Sequence, residues 1–160
     1  MRALLADTTD LAVVGLSPKP HRTSYQVSAY MQRAGFAITP VHPRCMDVLG
    51  EVCHPDLTAA AVAGPIGIVN VFRRSEDVPP VVGEAIVVGA RAIWMQRGIV
   101  HPEAAEAARA SGIPVVMDRC IKVEHARLFG GCANRPTRRP GPPAAAGAKA
   151  SGAGGAGCSR

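Results

Sequence analysis

"AVVGLSPKPHRTSYQV", Ala12 to Val27, decides how this chain is read. Apolar, β-branched residues run into Gly15, and a helical pattern restarts near Ser24. Strand, glycine turn and helix start together make a common seat for phosphate. The first amides of a helix have no partner inside it, and its dipole is positive there. Gly15 lets the backbone turn and approach a ligand closely. Ser17, Thr23 and Ser24 offer hydroxyls, and Arg22 offers a forked cation. Thr23 also fits a helix cap, with Gln26 reaching back as in a capping box. Two features are unusual for such a loop: it has no glycine after Gly15, and it holds Pro18 and Pro20.

The same rhythm continues outward. Apolar runs recur at "LAVVG" (11–15), "FAITPV" (36–41), "IGIVNVF" (66–72), "AIWM" (92–95) and "IPVVM" (113–117). They are continuous rather than alternating, as in parallel strands covered on both faces. Gly35, Gly89 and Gly112 precede three of them and fit left-handed helix ends. "HPEAAEAARA" puts Pro102 at a first helical position, and Ser75 is a cap candidate ahead of Glu76 and Asp77. "LTAAAVAG" reads as a short helix and "RCIKVEHARLFG" as a closing one. Strands alternating with helices predict an α/β fold. We expect a Rossmann-like, doubly wound parallel sheet of about five strands in three layers, in the order 3-2-1-4-5. Ligands of such folds bind at the carboxyl ends of the strands.

The net charge of +6 sits mostly at the end of the chain. From Gly131 onward there are five basic residues and no acidic ones, and removing those five leaves +1 for residues 1–130. Residues 131–160 carry almost no large apolar side chain and read as a disordered Ala/Gly/Pro/Arg-rich tail. The tail has no aromatic residue for base stacking, which argues against nucleic acid. No apolar run is long enough to span a bilayer, and the N-terminus lacks a signal-peptide pattern, so the expected location is cytoplasmic. The five cysteines form no Cys-x-x-Cys. "CMDVLGEVCH" groups Cys45, Cys53 and His54, but structural zinc sites want tighter pairs and four ligands, so ordinary reduced thiols are expected and no metal.

The strand ends carry the candidate ligand contacts. After the second strand, a fold binding NAD usually places an acid against the adenosine ribose. This chain has Val41, His42, Pro43 and Arg44 instead, and no carboxylate until Asp47. Arg44 could pair with an additional phosphate, as in NADP or coenzyme A. After the third strand, Phe72 and Arg73 leave the sheet, Phe72 to face an adenine or an apolar arm and the arginines to meet phosphates. The alternative puts Phe72 in the core and pairs Arg73 and Arg74 with Glu76 and Asp77. After the fourth strand come Trp94 and Gln96.

These blocks, with "VMDRCIKVEHARL", resemble in order and spacing the small stand-alone CoA-binding domain family, which is similar to the nucleotide domain of the succinyl-CoA synthetase alpha subunit. The resemblance spans about residues 10–129. It implies a Rossmann-like domain binding coenzyme A or an acyl-CoA, with no reaction of its own. Gly15, Ser17, Pro18 and Arg22 match the diphosphate-side loop. Pro43 and Arg44 match the turn after the second strand, where His42 replaces the usual Asn. Phe72 and Arg73 match the third turn, and Trp94 and Gln96 the fourth. Ser24, at the helix start, completes the expected binding set. No catalytic set is read: Cys120 and His125 lie five apart on one helix and face differently. In the synthetases a second domain carries the phosphorylated histidine, and 160 residues leave no room for its counterpart, so a complete ligase is not expected. The resemblance admits a homo-oligomer or a partner enzyme. Two other readings stand beside it: an NADP-binding oxidoreductase-like domain, and an interaction domain with no nucleotide ligand.

Overall fold

Alternation along the first strand divides the molecule. In β1 (Asp10–Val14), Ala12 and Val14 join one buried cluster, and Leu11 and Val13 join another on the opposite face. The computed structural model describes residues 1–130. The expected tail, with Cys132 and Cys158, lies outside the described residues. After a short α1 (Arg2–Asp7) and β1, the chain forms α2 (Thr23–Arg33), β2 (Ala37–Val41), and a small hairpin of β3 (Asp47–Val48) and β4 (Glu51–Val52). Then come α3 (Leu57–Ala63), β5 (Ile68–Val71), a 3-10 turn (Ser75–Asp77), α4 (Val78–Val87), β6 (Ala92–Met95), α5 (Pro102–Ala110), β7 (Val115–Val116) and α6 (Ile121–Phe129). None of the described helices is long and apolar enough to cross a membrane.

The main sheet is parallel, in the order β2-β1-β5-β6-β7. Leu57, Val78, Val82 and Ala105 pack α3, α4 and α5 on one face; Leu5, Val27, Met31 and Ile121 pack α1, α2 and α6 on the other. These are the three layers expected. The 3-2-1-4-5 pattern is met with one change of occupant. The position outside β2 is held by a single parallel bridge, Val41 to His54. The Ile66–Phe72 run, expected there as the third strand, instead forms β5 on the other side of β1. Burial explains the exchange. All four residues of β5 are buried, which only a central position allows, whereas the polar His54 segment suits an edge. The strand order therefore reverses between β1 and β5, and their carboxyl ends frame a crevice.

Local chemistry sets the helix ends. Asp56 caps α3, its Oδ1 accepting from the Ala59 amide at 2.7 Å. This matters because seven residues are too few to hold a helix alone. His101 caps α5 through Nδ1, ahead of Pro102 as expected. Gly35, Gly89 and Gly112 take positive φ, also as expected. Two expected caps are not formed. Arg22 is the residue before α2, and no side chain caps that helix. Ser24 lies inside the helix, and its Oγ accepts from the Ser17 amide at 3.1 Å, folding the loop back onto the helix. Ser75 opens the 3-10 turn, and its Oγ accepts from the Val100 amide.

Candidate functional site

The crevice is built around Gly15. Its φ is +86°, and its amide donates to the Val41 carbonyl at 3.0 Å. Across the sheet the Phe72 amide donates to the Val14 carbonyl at 2.9 Å. These two bonds draw the first three strand ends together. A Cβ added to Gly15 would stand 2.7 Å from the Phe72 carbonyl oxygen, so only glycine fits.

From Gly15 the loop runs over the start of α2. Ser17 Oγ accepts from the Lys19 amide at 3.3 Å, and the Arg22 amide donates to the Lys19 carbonyl at 3.0 Å. Pro18, Pro20 and Arg22 are exposed, so the two prolines stiffen a path that leaves the Arg22 guanidinium in solvent. The Gln26 amide is the first to bond back into the helix, so the amides ahead of it have no helical acceptor.

The second strand end is a tight turn, in which the Cys45 amide donates to the His42 carbonyl at 3.4 Å. The Arg44 amide donates to His42 Nδ1 at 3.2 Å. Partial burial, with the Arg73 and then the Arg44 guanidinium nearby, holds the His42 imidazole below its ordinary value of 6.5. A neutral ring accepting at Nδ1 carries its proton on Nε2, so His42 offers one donor outward. Pro43 and Arg44 are exposed beside it.

At the third strand end Phe72 is half-buried against the α2/α6-side core. Arg74 pairs with Glu76 at 3.7 Å, both side chains largely exposed. Arg73 forms no ion pair among the described residues and faces His42 electrostatically. The alternative pairing of this turn is thus formed by Arg74 with Glu76, while Arg73 takes no part in it and Phe72 is only partly in the core. Between these ends, on the α3/α4 side, lies a cavity of about 260 Å³. Val14, Val41, Pro43, Val81 and Arg73 line it, with Asp56, Asp77 and Glu84 at its rim. Asp56 is engaged as the α3 cap, and Glu84 accepts from the Leu57 amide at 3.1 Å. The cavity is smaller than a pocket enclosing a whole drug-sized ligand, so a long ligand would lie across the edge.

The fourth strand end departs from expectation. Trp94 is fully buried in the α2/α6-side core, its Nε1 donating to the Arg119 carbonyl at 2.7 Å. Its face is taken up by packing, so it does not reach the crevice. Gln96 is also buried, and its Nε2 donates to Asn70 Oδ1 at 2.7 Å. The structure thus brings Gly15, Ser17, His42, Pro43, Arg44 and Arg73 to one edge, with Pro18 and Arg22 on the adjoining loop. Ser24 and Gln96 lie beneath it as internal supports.

Three features escaped the sequence reading. Asn70 is wholly buried in β5, and its Nδ2 has no hydrogen-bond partner among the described residues. One polar residue inside "IVNVF" was the available signal. Asp118 holds a φ of +56°, and its Oδ1 accepts from the Gly98 amide at 2.7 Å, clamping the loop after β6. The acidic rim comes from the α3 cap Asp56, from Asp77 at the end of the 3-10 turn and from Glu84 in α4, and no local pattern announces their meeting. The "DRCIKVEHARL" block is structural at two positions. Glu124 bridges Arg119 at 3.1 Å and Arg127 at 2.7 Å. His125 stacks on Phe129 and meets Phe36 and Tyr30 edge-on, away from Cys120 at the start of α6.

A parallel five-stranded sheet with helices on both faces and a glycine-turned crevice at its switch point defines a Rossmann-like α/β domain. Residues 9–126 match the family described as CoA binding domain, and the chain belongs to that family. The uncharacterized protein YneT of Bacillus subtilis (strain 168) is 44% identical over 126 residues, which is 79% of this chain and 92% of that protein. A solved structure from Thermus thermophilus, cell-free ID.343, superposes with a TM-score of 0.76 at 35% identity, covering 80% of this chain and 96% of that one. The dinucleotide-forming acetyl-coenzyme A synthetase 1 of Ca. Korarchaeum cryptofilum shares the fold, with a TM-score of 0.63 at 18% identity, over 74% of this chain and 28% of that one.

Proposed function

We propose that the domain binds coenzyme A or an acyl-CoA along the carboxyl edge of β1, β2 and β5. The observation that carries this reading is the placement of Arg44 and Arg73 beside His42, with Arg73 against Gly15 and Arg22 exposed on the adjoining loop. None of the three is ion-paired among the described residues. Uncompensated guanidinium groups are poised for phosphates, which coenzyme A carries as a diphosphate and a separate ribose phosphate. Family membership supports the same ligand.

The diphosphate lies over the Gly15–Arg22 loop, where the α2 amides and Arg22 meet it. Arg44 and Arg73 take the separate phosphate, with His42 Nε2 donating beside them. The apolar cavity floor at Val14, Val41 and Pro43 takes a flat or aliphatic part of the ligand. The absence of an acid after β2 favours this over NAD, whose ribose needs an acceptor there.

The test is native mass spectrometry with a thermal-shift titration of the purified protein. Coenzyme A is expected to add its mass and raise Tm with concentration, while NAD and NADP leave both unchanged. Arg22→Ala, Arg44→Ala and Arg73→Ala should each weaken binding by about 1.5–3 kcal/mol, roughly ten- to a hundredfold in Kd. No mass gain and no Tm shift at millimolar coenzyme A would refute the reading.

A further inference from the structure

Beside the candidate site lies a pair of thiols that the binding reading does not use. The β3–β4 hairpin folds "CMDVLGEVCH" back on itself, pairing Asp47 with Val52 and Val48 with Glu51. The Cys53 amide then donates to the Met46 carbonyl at 2.8 Å, which sets Cys53 one residue from Cys45 across the hairpin. The Cys45 side chain is near enough to Cys53 to help hold its thiol above the ordinary value. Both are partly exposed and rest on the same α2-side core. Cys45 Sγ also donates to the Asp47 carbonyl at 3.3 Å.

Each cysteine is tied to the turn after β2. Cys45 follows Arg44, and its amide closes the turn on the His42 carbonyl. Cys53 precedes His54, whose carbonyl accepts from the His42 amide at 2.8 Å. A covalent bond between the two sulfurs would join the turn's two anchors and release Cys45 from Asp47.

We propose that Cys45 and Cys53 form a redox-active dithiol, oxidised to an intramolecular disulfide by low-molecular-weight disulfides, and that oxidation resets the His42–Arg44 turn. The Cys45 thiolate attacks one sulfur of the small disulfide, forming a mixed disulfide and expelling one thiolate. Cys53 loses its proton to solvent and attacks the Cys45 sulfur, forming the protein disulfide and expelling the second thiolate. Two protein thiols are oxidised, and one small disulfide is reduced to two thiols. The order of attack follows from the environment. Burial, the Cys45 hydrogen bond, the Cys45 charge and Asp47 push Cys53 up to about 12, so Cys45 attacks first. Once Cys45 is in the mixed disulfide, two of those four causes vanish, and Cys53 becomes free to resolve it.

The test treats the full chain with oxidised glutathione, alkylates remaining thiols and digests with trypsin. Residues 45–73 form one tryptic peptide holding both cysteines and no other. The expected product is this peptide two hydrogens lighter and closed to alkylation, while Cys53→Ser retains glutathione on Cys45. Both cysteines remaining open to alkylation while Cys120 has reacted would overturn the proposal. The turn is read by the NMR titration of His42, whose midpoint should move on oxidation and return with dithiothreitol; an unmoved midpoint refutes the coupling. A loss of coenzyme A affinity of about fivefold or more on oxidation is also expected, and this readout alone rests on the binding reading. Reduced protein that fails to bind coenzyme A would sink that reading, yet leave the peptide mass and the His42 titration to decide this one.

Discussion

At Gly15 two demands coincide. The backbone must take a positive φ, and it must pass the Phe72 carbonyl with no room for a side chain. Gly15→Ala is expected to destabilise the fold by about 2 kcal/mol or more, read as a lower urea midpoint. His42 makes the electrostatic counterpart. Its imidazole is held below 6.5 by partial burial and by Arg73 and Arg44. The unfolded chain therefore binds the proton more readily, so His42 subtracts stability as pH falls below about 6.5 and subtracts none above it. An NMR titration should place its midpoint below 6.5, and Arg73→Ala should move it upward. A midpoint that ignores Arg73 would show that the two groups do not face each other.

Among the elements, α6 shows how one carboxylate organises a helix start. Glu124 joins Arg119, ahead of the helix, to Arg127 one turn on. The two guanidinium groups, Arg127 foremost, hold its carboxyl below the ordinary 4.5. The folded form is therefore favoured above the unfolded value near 4.5, and that advantage is lost as pH falls through the lower folded value. Glu124→Gln should lower Tm at pH 7 and flatten the acid side of a Tm-against-pH curve; an unchanged acid limb would contradict the bridge. Elements of this kind were legible to different depths. Four of the five apolar runs gave their strands because continuous burial writes itself as a continuous apolar run. "IPVVM" shrank to Val115–Val116, an edge strand with only one neighbour. The β3–β4 hairpin was missed because two-residue strands carry no period. Trp94 was drawn to the site by its place at the end of the fourth strand and by the family resemblance. Its burial depends on α2 and α6 closing over that face, a tertiary fact that no local pattern holds.

At the scale of the whole molecule, both core clusters close within residues 1–130. A chain ended at Gly130 is expected to melt within about 2 °C of the full chain and to bind coenzyme A equally, because residues 131–160 carry almost no large apolar side chain to bury. A large drop in Tm would assign residues 131–160 a structural part. The edge of the sheet carries a different consequence. Pro40 lies in β2, and its carbonyl accepts from the His54 amide at 2.9 Å on the side away from β1. Its missing N–H faces that same outer side, where it costs the ladder nothing. His54 fills a docking position on the outer side of β2, and proline denies the next donor there. Together they close the β2 edge to templated pairing, the usual first step toward aggregation, so crowded copies of this domain gain no template from that side of the sheet.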